Sequence, residues 1–233
     1  MLEENEIQYF DRNLSWSNAY LKEYSYELDL FGNKDDVAIY GVELQEKDCS
    51  HIPYNYIRID HHNDMSGRPA SIIQAAEVLE IPVSRYRQLV AANDSGYIPG
   101  MMQIGATKDE INAIRRLDRE MQGVTETDEI LAEKAILEKS TENGIVIIKA
   151  YSSRFSPICD RLFPYGQLIV YTDDELIYYG TGKAQLTNTF AEELAKGKMY
   201  HGGSDEGYIG TVAKVFPPAE IAALKNRIVN LKL

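Results

Sequence analysis

Short apolar runs rich in β-branched and aromatic residues alternate with longer amphipathic stretches along this chain, and this alternation is its most constraining feature. Short apolar runs fit strands, whereas apolar positions that recur every three or four residues fit helices with one buried face. In the first part of the chain the pattern predicts strands over residues 7–10, 37–42 and 56–59. It predicts helices over residues 15–24, 69–79, 84–92, 107–119 and 125–139. Strands separated by helices are typical of a parallel sheet, so we expect an α/β domain with helices on both faces of its sheet.

The pattern changes after Asn143-Gly144, a dipeptide that favours a turn. Beyond it we predict strands over residues 145–150, 167–171, 175–179 and 209–216, with helices over residues 188–195 and 218–229. The residues Thr172-Asp173-Asp174 separate two of these strands and predict a hairpin turn. We therefore expect a parallel-sheet domain over residues 1–140 and a smaller mixed α/β domain over residues 144–233.

The composition limits the partners of the chain. Its 36 acidic and 24 basic residues give a formal net charge of −12, which argues against binding of duplex DNA because that requires a basic face. The apolar runs are far too short to span a bilayer, so no membrane partner is expected. The two cysteines, Cys49 and Cys159, stand alone and lack the spacing of a zinc site. A reduced, cytoplasmic protein is the simpler interpretation, and the sequence leaves the oligomeric state open.

The strongest local signal for chemistry is Asp60-His61-His62, which directly follows a predicted strand. Residues just past the carboxyl end of a strand in a parallel sheet face the ligand crevice. Neutral imidazole binds transition metals, and a carboxylate can fix the tautomer of a histidine. A polar surface turn is the alternative, and we favour the site because two of only four histidines lie here side by side. Asp94 is a second candidate, although the segment from Asn93 to Gly96, taken alone, is better explained as the end of a helix.

The string Ile59-Asp60-His61-His62 resembles the motif that gives the DHH phosphoesterases their name. The segment 68–79 is similar to the helix that follows the motif, and Asp94 matches the aspartate of the family's fourth motif. The resemblance covers residues 5–140 well and the remainder less well. It implies hydrolysis of a phosphorylated substrate assisted by Mn²⁺ or Mg²⁺, and the family's two-metal sites clamp the attacking and leaving oxygens.

The chain departs from the family's pattern in its first two motifs. Asp11 stands where the family has a histidine, and Asn13 and Ser15 stand where it has aspartates. In the second motif the aspartate position falls near Gly41, with Glu43 two residues on. Neutral oxygens cannot balance the charge of two divalent ions held close together. The resemblance therefore implies one ion rather than two, or none, with the candidate ligands His61, Asp94, Asp11, Asn13 and Glu43.

A glycine-rich segment in the C-terminal domain is similar to the substrate loop of the domain that accompanies DHH enzymes. Its candidate substrate-binding residues are His201, Gly202, Gly203 and Ser204, because glycine lets backbone N–H groups approach phosphate oxygens. Arg154 is a further candidate, since its planar guanidinium suits phosphate. The alternatives are a plain turn for the loop and a solvated edge residue for the arginine.

Three functions remain open on the sequence. The first is a metal-dependent phosphoesterase, of phosphodiesterase or pyrophosphatase type, acting on a nucleotide or short oligonucleotide, with His62 and Asp60 as catalytic residues. The second is a catalytically inactive protein that binds a phosphorylated ligand or a nucleic-acid end. The third is an acidic assembly subunit, which the sequence supports weakly.

Overall fold

The computed structural model describes residues 1–15, 18–203, 206–231 and 233. The strands are β1 (Ile39–Val42), β2 (Tyr56–Ile59), β3 (Ser140–Glu142), β4 (Ile145–Lys149), β5 (Gln167–Tyr171), β6 (Leu176–Gly180), β7 (Met199–Gly202) and β8 (Tyr208–Thr211). The α-helices are α1 (Ser25–Phe31), α2 (Ser71–Val78), α3 (Arg85–Gln103), α4 (Lys108–Met121), α5 (Glu126–Leu137), α6 (Ser156–Leu162), α7 (Lys183–Thr189), α8 (Ala191–Ala195) and α9 (Pro218–Val229). Short 3₁₀ turns occur at Glu3–Asn5, Leu21–Tyr24 and Asn63–Met65. The predicted α/β fold class is confirmed.

The chain divides into two compact units, Met1–Ile114 and Arg115–Leu233. The division lies inside α4, so the two units have nearly equal length. The sequence pattern instead places a boundary near Asn143-Gly144, which the structure shows as the turn between the antiparallel strands β3 and β4. Both residues have positive φ, as such a turn favours.

The first unit contains a parallel pair, β1 and β2, in which Ile39 lies opposite Tyr56 and Val42 opposite Ile59. Two of the predicted strands therefore exist, while the strand predicted over residues 7–10 is wrong, because that exposed segment pairs with no strand of the described residues. The helix predicted over residues 15–24 is also displaced. The described part of it holds the short 3₁₀ turn Leu21–Tyr24, and the α-helix begins at Ser25.

Side-chain caps fix the starts of the longer helices. Thr107 and Glu110 exchange hydrogen bonds at the start of α4, with distances of 2.7 and 3.2 Å, and so form a capping box. Thr125 and Asp128 form the same arrangement at the start of α5. Each box satisfies backbone N–H groups that the first turn of a helix leaves without partners.

The second unit is built on a mixed sheet with the strand order β3-β4-β5-β6-β8-β7, in which β4 and β5 are parallel. Leu168, Ile169 and Val170 on β5 are all fully buried, because both faces of the sheet are covered. Ile169 packs with α7 and α9 on one face, and its two neighbours pack with α5 and α6 on the other. The hairpin predicted at residues 172–174 joins β5 to β6, and Thr172 N donates to Glu175 O at 2.8 Å. Among the described residues, no helix is long and apolar enough to cross a membrane.

Candidate metal centre

The parallel pairing of β1 and β2 brings the segments that follow them to the same sheet edge. Glu43 comes directly after β1, and Asp60 comes directly after β2. The two exits are joined by a hydrogen bond from Glu43 N to Ile59 O at 2.9 Å. Because parallel strands end at one edge, residues far apart in sequence meet here.

His61 lies at the centre of the cluster at this edge. Its side chain is buried, and its Nε2 atom lies 2.9 Å from Asp94 Oδ2 and 3.6 Å from Glu43 Oε1. Potential ligand atoms of Glu43, His61 and His62 all lie within 4.8 Å of one another. The two imidazole rings are 4.1 Å apart between centroids. Four of the predicted site residues are thus brought together.

The Nε2 atom of His61 lacks a well-formed hydrogen bond. Although Asp94 lies 2.9 Å away, the angles do not suit a hydrogen bond, and this buried nitrogen has no hydrogen-bond partner among the described residues. A buried polar atom left without a partner is costly and needs an explanation. A cation shared by the imidazole and the two carboxylates would provide one.

The donor set fits one divalent cation better than two. Imidazole nitrogen with carboxylate oxygen suits an ion such as Mn²⁺, and two carboxylates balance the charge of one such ion. A second divalent ion nearby would need further anionic ligands.

Asp60 is oriented by groups on both sides. Its Oδ2 atom accepts hydrogen bonds from Arg58 Nε at 3.1 Å and from an Arg58 terminal nitrogen at 2.5 Å. Its Oδ1 atom accepts from His62 N at 2.9 Å and lies 3.1 Å from His62 Nδ1. Burial raises the pKa of Asp60, but the hydrogen bonds from Arg58 and His62 outweigh it and hold the pKa at about 2. Asp60 is therefore an ionised carboxylate, and an ionised carboxylate can only accept hydrogen bonds.

Asp94 reaches the cluster from the interior of α3. The sequence pattern predicts that this helix ends at residues 93–96, and that prediction is wrong. The helix continues to a break at Tyr97, which has φ 55° and ψ −146° and is followed by Pro99. Ser95 Oγ bonds back to Ala91 O at 2.9 Å within the continuing helix. Asp94 is consequently carried on a rigid element rather than on a turn.

The two predicted ligands from the first motif make a local turn. Asp11 Oδ1 accepts a hydrogen bond from Asn13 N at 2.7 Å, and both residues are exposed. The ligand group found among the described residues does not contain Asp11. A role for Asp11 and Asn13 in metal binding remains a prediction.

A polar pocket of about 240 Å³ opens beside the cluster, lined by Glu43, Leu44, Gln45, Arg58, Asp60, His62 and Asn63. A second, shallow hollow of about 310 Å³ lies between α3 and α4, and it is lined mainly by apolar atoms of Leu89, Ala113 and Ile114. Ligand sites combine concavity with converging polar groups. The polar pocket meets both conditions, whereas the hollow meets the first.

In the second unit, the predicted substrate loop begins within β7, because His201 and Gly202 are the last two residues of that strand. Gly202 lies beneath the Tyr208 hydroxyl, where a Cβ atom would be 2.5 Å away, and Gly203 has φ +72°. Lys183 Nζ, which the sequence reading missed, donates to Gly203 O at 2.6 Å. Ser204 lies outside the described residues. The backbone conformation of this segment therefore depends on its glycines, and the ammonium group of Lys183 contacts its backbone.

The other two predicted substrate-binding residues lie on the surface of the same unit. His201 is an exposed residue of β7. Arg154 is exposed, and its backbone N–H donates to Ser152 Oγ at 3.1 Å. A phosphate-binding role for either residue remains a prediction.

Comparison with known proteins gives distant structural likenesses, and two of them are described below. No protein-family model and no curated protein sequence matches the chain. Among solved structures, it is similar to a DHH domain described as a member of the s1p family of ribosomal proteins, with 14% identity, a TM-score of 0.32, and coverage of 70% of this chain and 42% of that one. It is also similar to a pGpG-specific phosphodiesterase, PggH from Vibrio cholerae, with 10% identity, a TM-score of 0.40, and coverage of 98% of this chain and 92% of that one.

The chain thus spans less than half of the first of these structures and nearly all of the second. One of the two is itself described as a DHH domain. At these TM-scores the likeness carries no functional argument, so the function must be argued from the site.

Proposed function

We propose that the protein is a metal-dependent phosphoesterase that hydrolyses a phosphoester or phosphoanhydride of a nucleotide or short oligonucleotide, using one divalent cation, Mn²⁺ or Mg²⁺. The observation that carries the proposal is the buried Nε2 atom of His61, which lies beside two carboxylates without a hydrogen-bond partner in the described part of the chain. This arrangement is unfavourable for a neutral ring and two anions alone, and it is favourable around a cation.

We assign the cation to His61, Glu43 and Asp94. A divalent cation at this position would polarise a phosphoryl oxygen and lower the pKa of a bound water. The protein holds these three donors on separate elements, after β2, after β1 and within α3, so the donor positions are fixed by the fold. Asp94 lies on a helix, and Glu43 and His61 lie within two residues of strand ends, so all three are on or close to rigid elements, which keep ligand geometry better than long loops do.

His62 and Asp60 are assigned to catalysis, with His62 facing the phosphate or the leaving group and Asp60 orienting the His62 ring. Asp60 holds the Nδ1 side of that ring, so we assign Nε2 to the substrate, as a proton donor when the ring is doubly protonated. The proposal is supported by the position of His62 and Asp60, which both line the polar pocket. In the second unit, Arg154, His201, Gly202, Gly203 and Ser204 are the candidate substrate-binding residues that the sequence predicts.

One observation favours the alternative of a binding protein without turnover. The first-motif positions carry Asn13 and Ser15, and Asp11 is engaged in a local turn. Fewer anionic ligands hold a cation less tightly, so a ligand could bind in the pocket without being hydrolysed. The same assay separates the two functions.

The test is product release from a panel of linear dinucleotides, pyrophosphate and short RNA, measured by chromatography with Mn²⁺, with Mg²⁺ and with a chelator. We expect cation-dependent hydrolysis of at least one nucleotide substrate. The rate should fall by 100-fold or more in His61→Ala, which corresponds to about 2.7 kcal/mol of lost transition-state stabilisation. His51→Ala is the matched control, because His51 is exposed and is not one of the residues that form the cluster. Binding of a dinucleotide with no product under any condition would favour the alternative. Hydrolysis that persists in His61→Ala and with chelator would contradict the proposed site.

A further inference from the structure

Both carboxylate oxygens of Asp60 already have protein partners. Oδ2 is held by two nitrogens of Arg58, at 2.5 and 3.1 Å, and Oδ1 is held by the backbone and ring of His62, at 2.9 and 3.1 Å. The Asp60 side chain is 7% exposed, so water competes little for these bonds. A charge-assisted pair of this kind, in a buried position, has a fixed geometry.

Arg58 reaches Asp60 because the two residues are separated by one position at the end of β2. Successive side chains alternate between the faces of a strand, so residues 58 and 60 leave the backbone on the same side. The guanidinium also lies 3.5 Å from Asp64 Oδ2, and Arg68 Nη1 donates to the Arg58 carbonyl at 3.0 Å. The position of Arg58 is thus set by the strand and by contacts on either side.

We propose that Arg58 is a positioning residue that keeps Asp60 out of the cation's ligand set and fixes it as the carboxylate that orients His62. The inference rests on the proposed cation site and deepens it. It divides the carboxylates around the two imidazoles into two kinds: Glu43 and Asp94, which face His61 Nε2, and Asp60, whose charge is balanced by Arg58. The guanidinium of Arg58 supplies the positive charge that balances Asp60.

The orientation of His62 follows from the same contacts. An ionised carboxylate can only accept, so the ring nitrogen facing Asp60 carries the hydrogen, and the neutral ring has its proton on Nδ1. The Nε2 atom is then the hydrogen-bond acceptor of the neutral ring. Isolated histidine side chains favour the opposite tautomer, so the assignment can be measured.

The first arm of the test is a two-bond proton–nitrogen correlation spectrum of the metal-free protein at a pH where the rings are neutral. We expect the His62 ring in the Nδ1–H tautomer, with the exposed ring of His51 as the internal reference. In the charge-balanced double variant Arg58→Met/Asp60→Asn, the preference of His62 should move towards the Nε2–H tautomer. A wild-type His62 ring in the Nε2–H tautomer would overturn the inference. This arm needs no cation, so it tests the role of Arg58 and Asp60 even if the wild type binds no Mn²⁺. A failure of the wild type to bind Mn²⁺ would overturn the proposed function and leave the result of this arm unaffected.

The second arm is a calorimetric titration with Mn²⁺ of the wild type, Arg58→Met, the double variant and Arg68→Met. Releasing Asp60 should make Arg58→Met bind Mn²⁺ at least about tenfold more tightly, whereas the double variant should stay within about threefold of the wild type because it removes a neutral pair. Arg68→Met is the matched control, since it removes a neighbouring positive charge without touching Asp60.

Two outcomes of the titration would overturn the inference. A tenfold loss in the double variant would make Asp60 a cation ligand. An affinity of Arg58→Met no higher than that of Arg68→Met would show that Arg58 does not withhold Asp60.

Discussion

Replacing Asp160 with alanine should strongly destabilise the second unit. Its side chain is 8% exposed, and both of its oxygens lie 3.1 Å from Arg115 Nε, while Arg119 Nη1 also donates to it. The two guanidinium groups are themselves nearly buried. The variant leaves two buried cations without the carboxylate that they share.

The structure sets the size of the effect. Removing one partner of a buried ion pair costs roughly 3–5 kcal/mol, because the remaining charge stays out of water. Arg115 keeps Asp118 at 2.6 Å, and Arg119 keeps Glu129 at 2.7 Å, so each guanidinium retains one anion. We therefore expect a loss near the lower end, about 3 kcal/mol.

The assay is urea unfolding followed by far-ultraviolet circular dichroism. Glu120→Ala is the matched control, because its pair with Arg116 on the same helix is exposed on both sides, and such pairs contribute about 0–1 kcal/mol. A loss below about 1 kcal/mol for Asp160→Ala, or one equal to that of Glu120→Ala, would refute the reasoning that burial makes the shared carboxylate important.

Three smaller predictions follow from single contacts. The pKa of Asp60 falls from 3.8 to about 2 on folding, so its ionised form contributes about 2 kcal/mol to the free energy of unfolding above pH 5. This contribution is lost as the pH falls from about 4 to about 2, and the acid unfolding of Asp60→Asn should lack this pH-dependent loss of stability. Thr211→Val should cost about 1–3 kcal/mol in urea unfolding, because it leaves the buried Leu176 N–H, now bonded to Thr211 Oγ1 at 2.9 Å, without that acceptor; an unchanged midpoint would contradict this. Thr125→Ala should cost about 1 kcal/mol by removing the cap from α5, and Thr125→Ser should restore most of it in the same measurement.

The helices and buried strands were predictable where local chemistry decides the structure. The capping residues Thr107 and Thr125 mark helix starts without reference to the rest of the chain, and both caps are present. Residues 167–171 form a strand because an unbroken apolar run of that length fits a sheet buried on both faces. By contrast, residues 7–10 are apolar but have no strand partner in the described residues, and pairing is a tertiary property that an apolar run alone does not determine.

The end of α3, the helix that contains Asp94, was predicted too early in the sequence. Asn93 and Gly96 are common at helix ends, but a helix continues through them when packing favours it over their local preference. The actual break is at Tyr97, two residues before Pro99. The proline was visible in the sequence, and it was the better signal of the break.

The candidate site was partly predictable for a related reason. Glu43, His61 and His62 follow strand ends, and the rule for parallel sheets brings strand ends together. Arg58 was missed, although its spacing of two from Asp60 on a strand places the two side chains on one face. Lys183 carried no comparable signal, because its contact with Gly203 joins residues 20 positions apart through the fold.

The most direct test of the central claim is the thermal unfolding of metal-free protein with and without Mn²⁺. If Glu43, His61 and Asp94 hold one cation, a concentration 100 times the dissociation constant should stabilise the wild type and His51→Ala by about 2.7 kcal/mol, and a metal analysis should find one ion per chain. His61→Ala should show no such stabilisation. Equal Mn²⁺-dependent stabilisation of the wild type and His61→Ala, or none in either, would contradict the account.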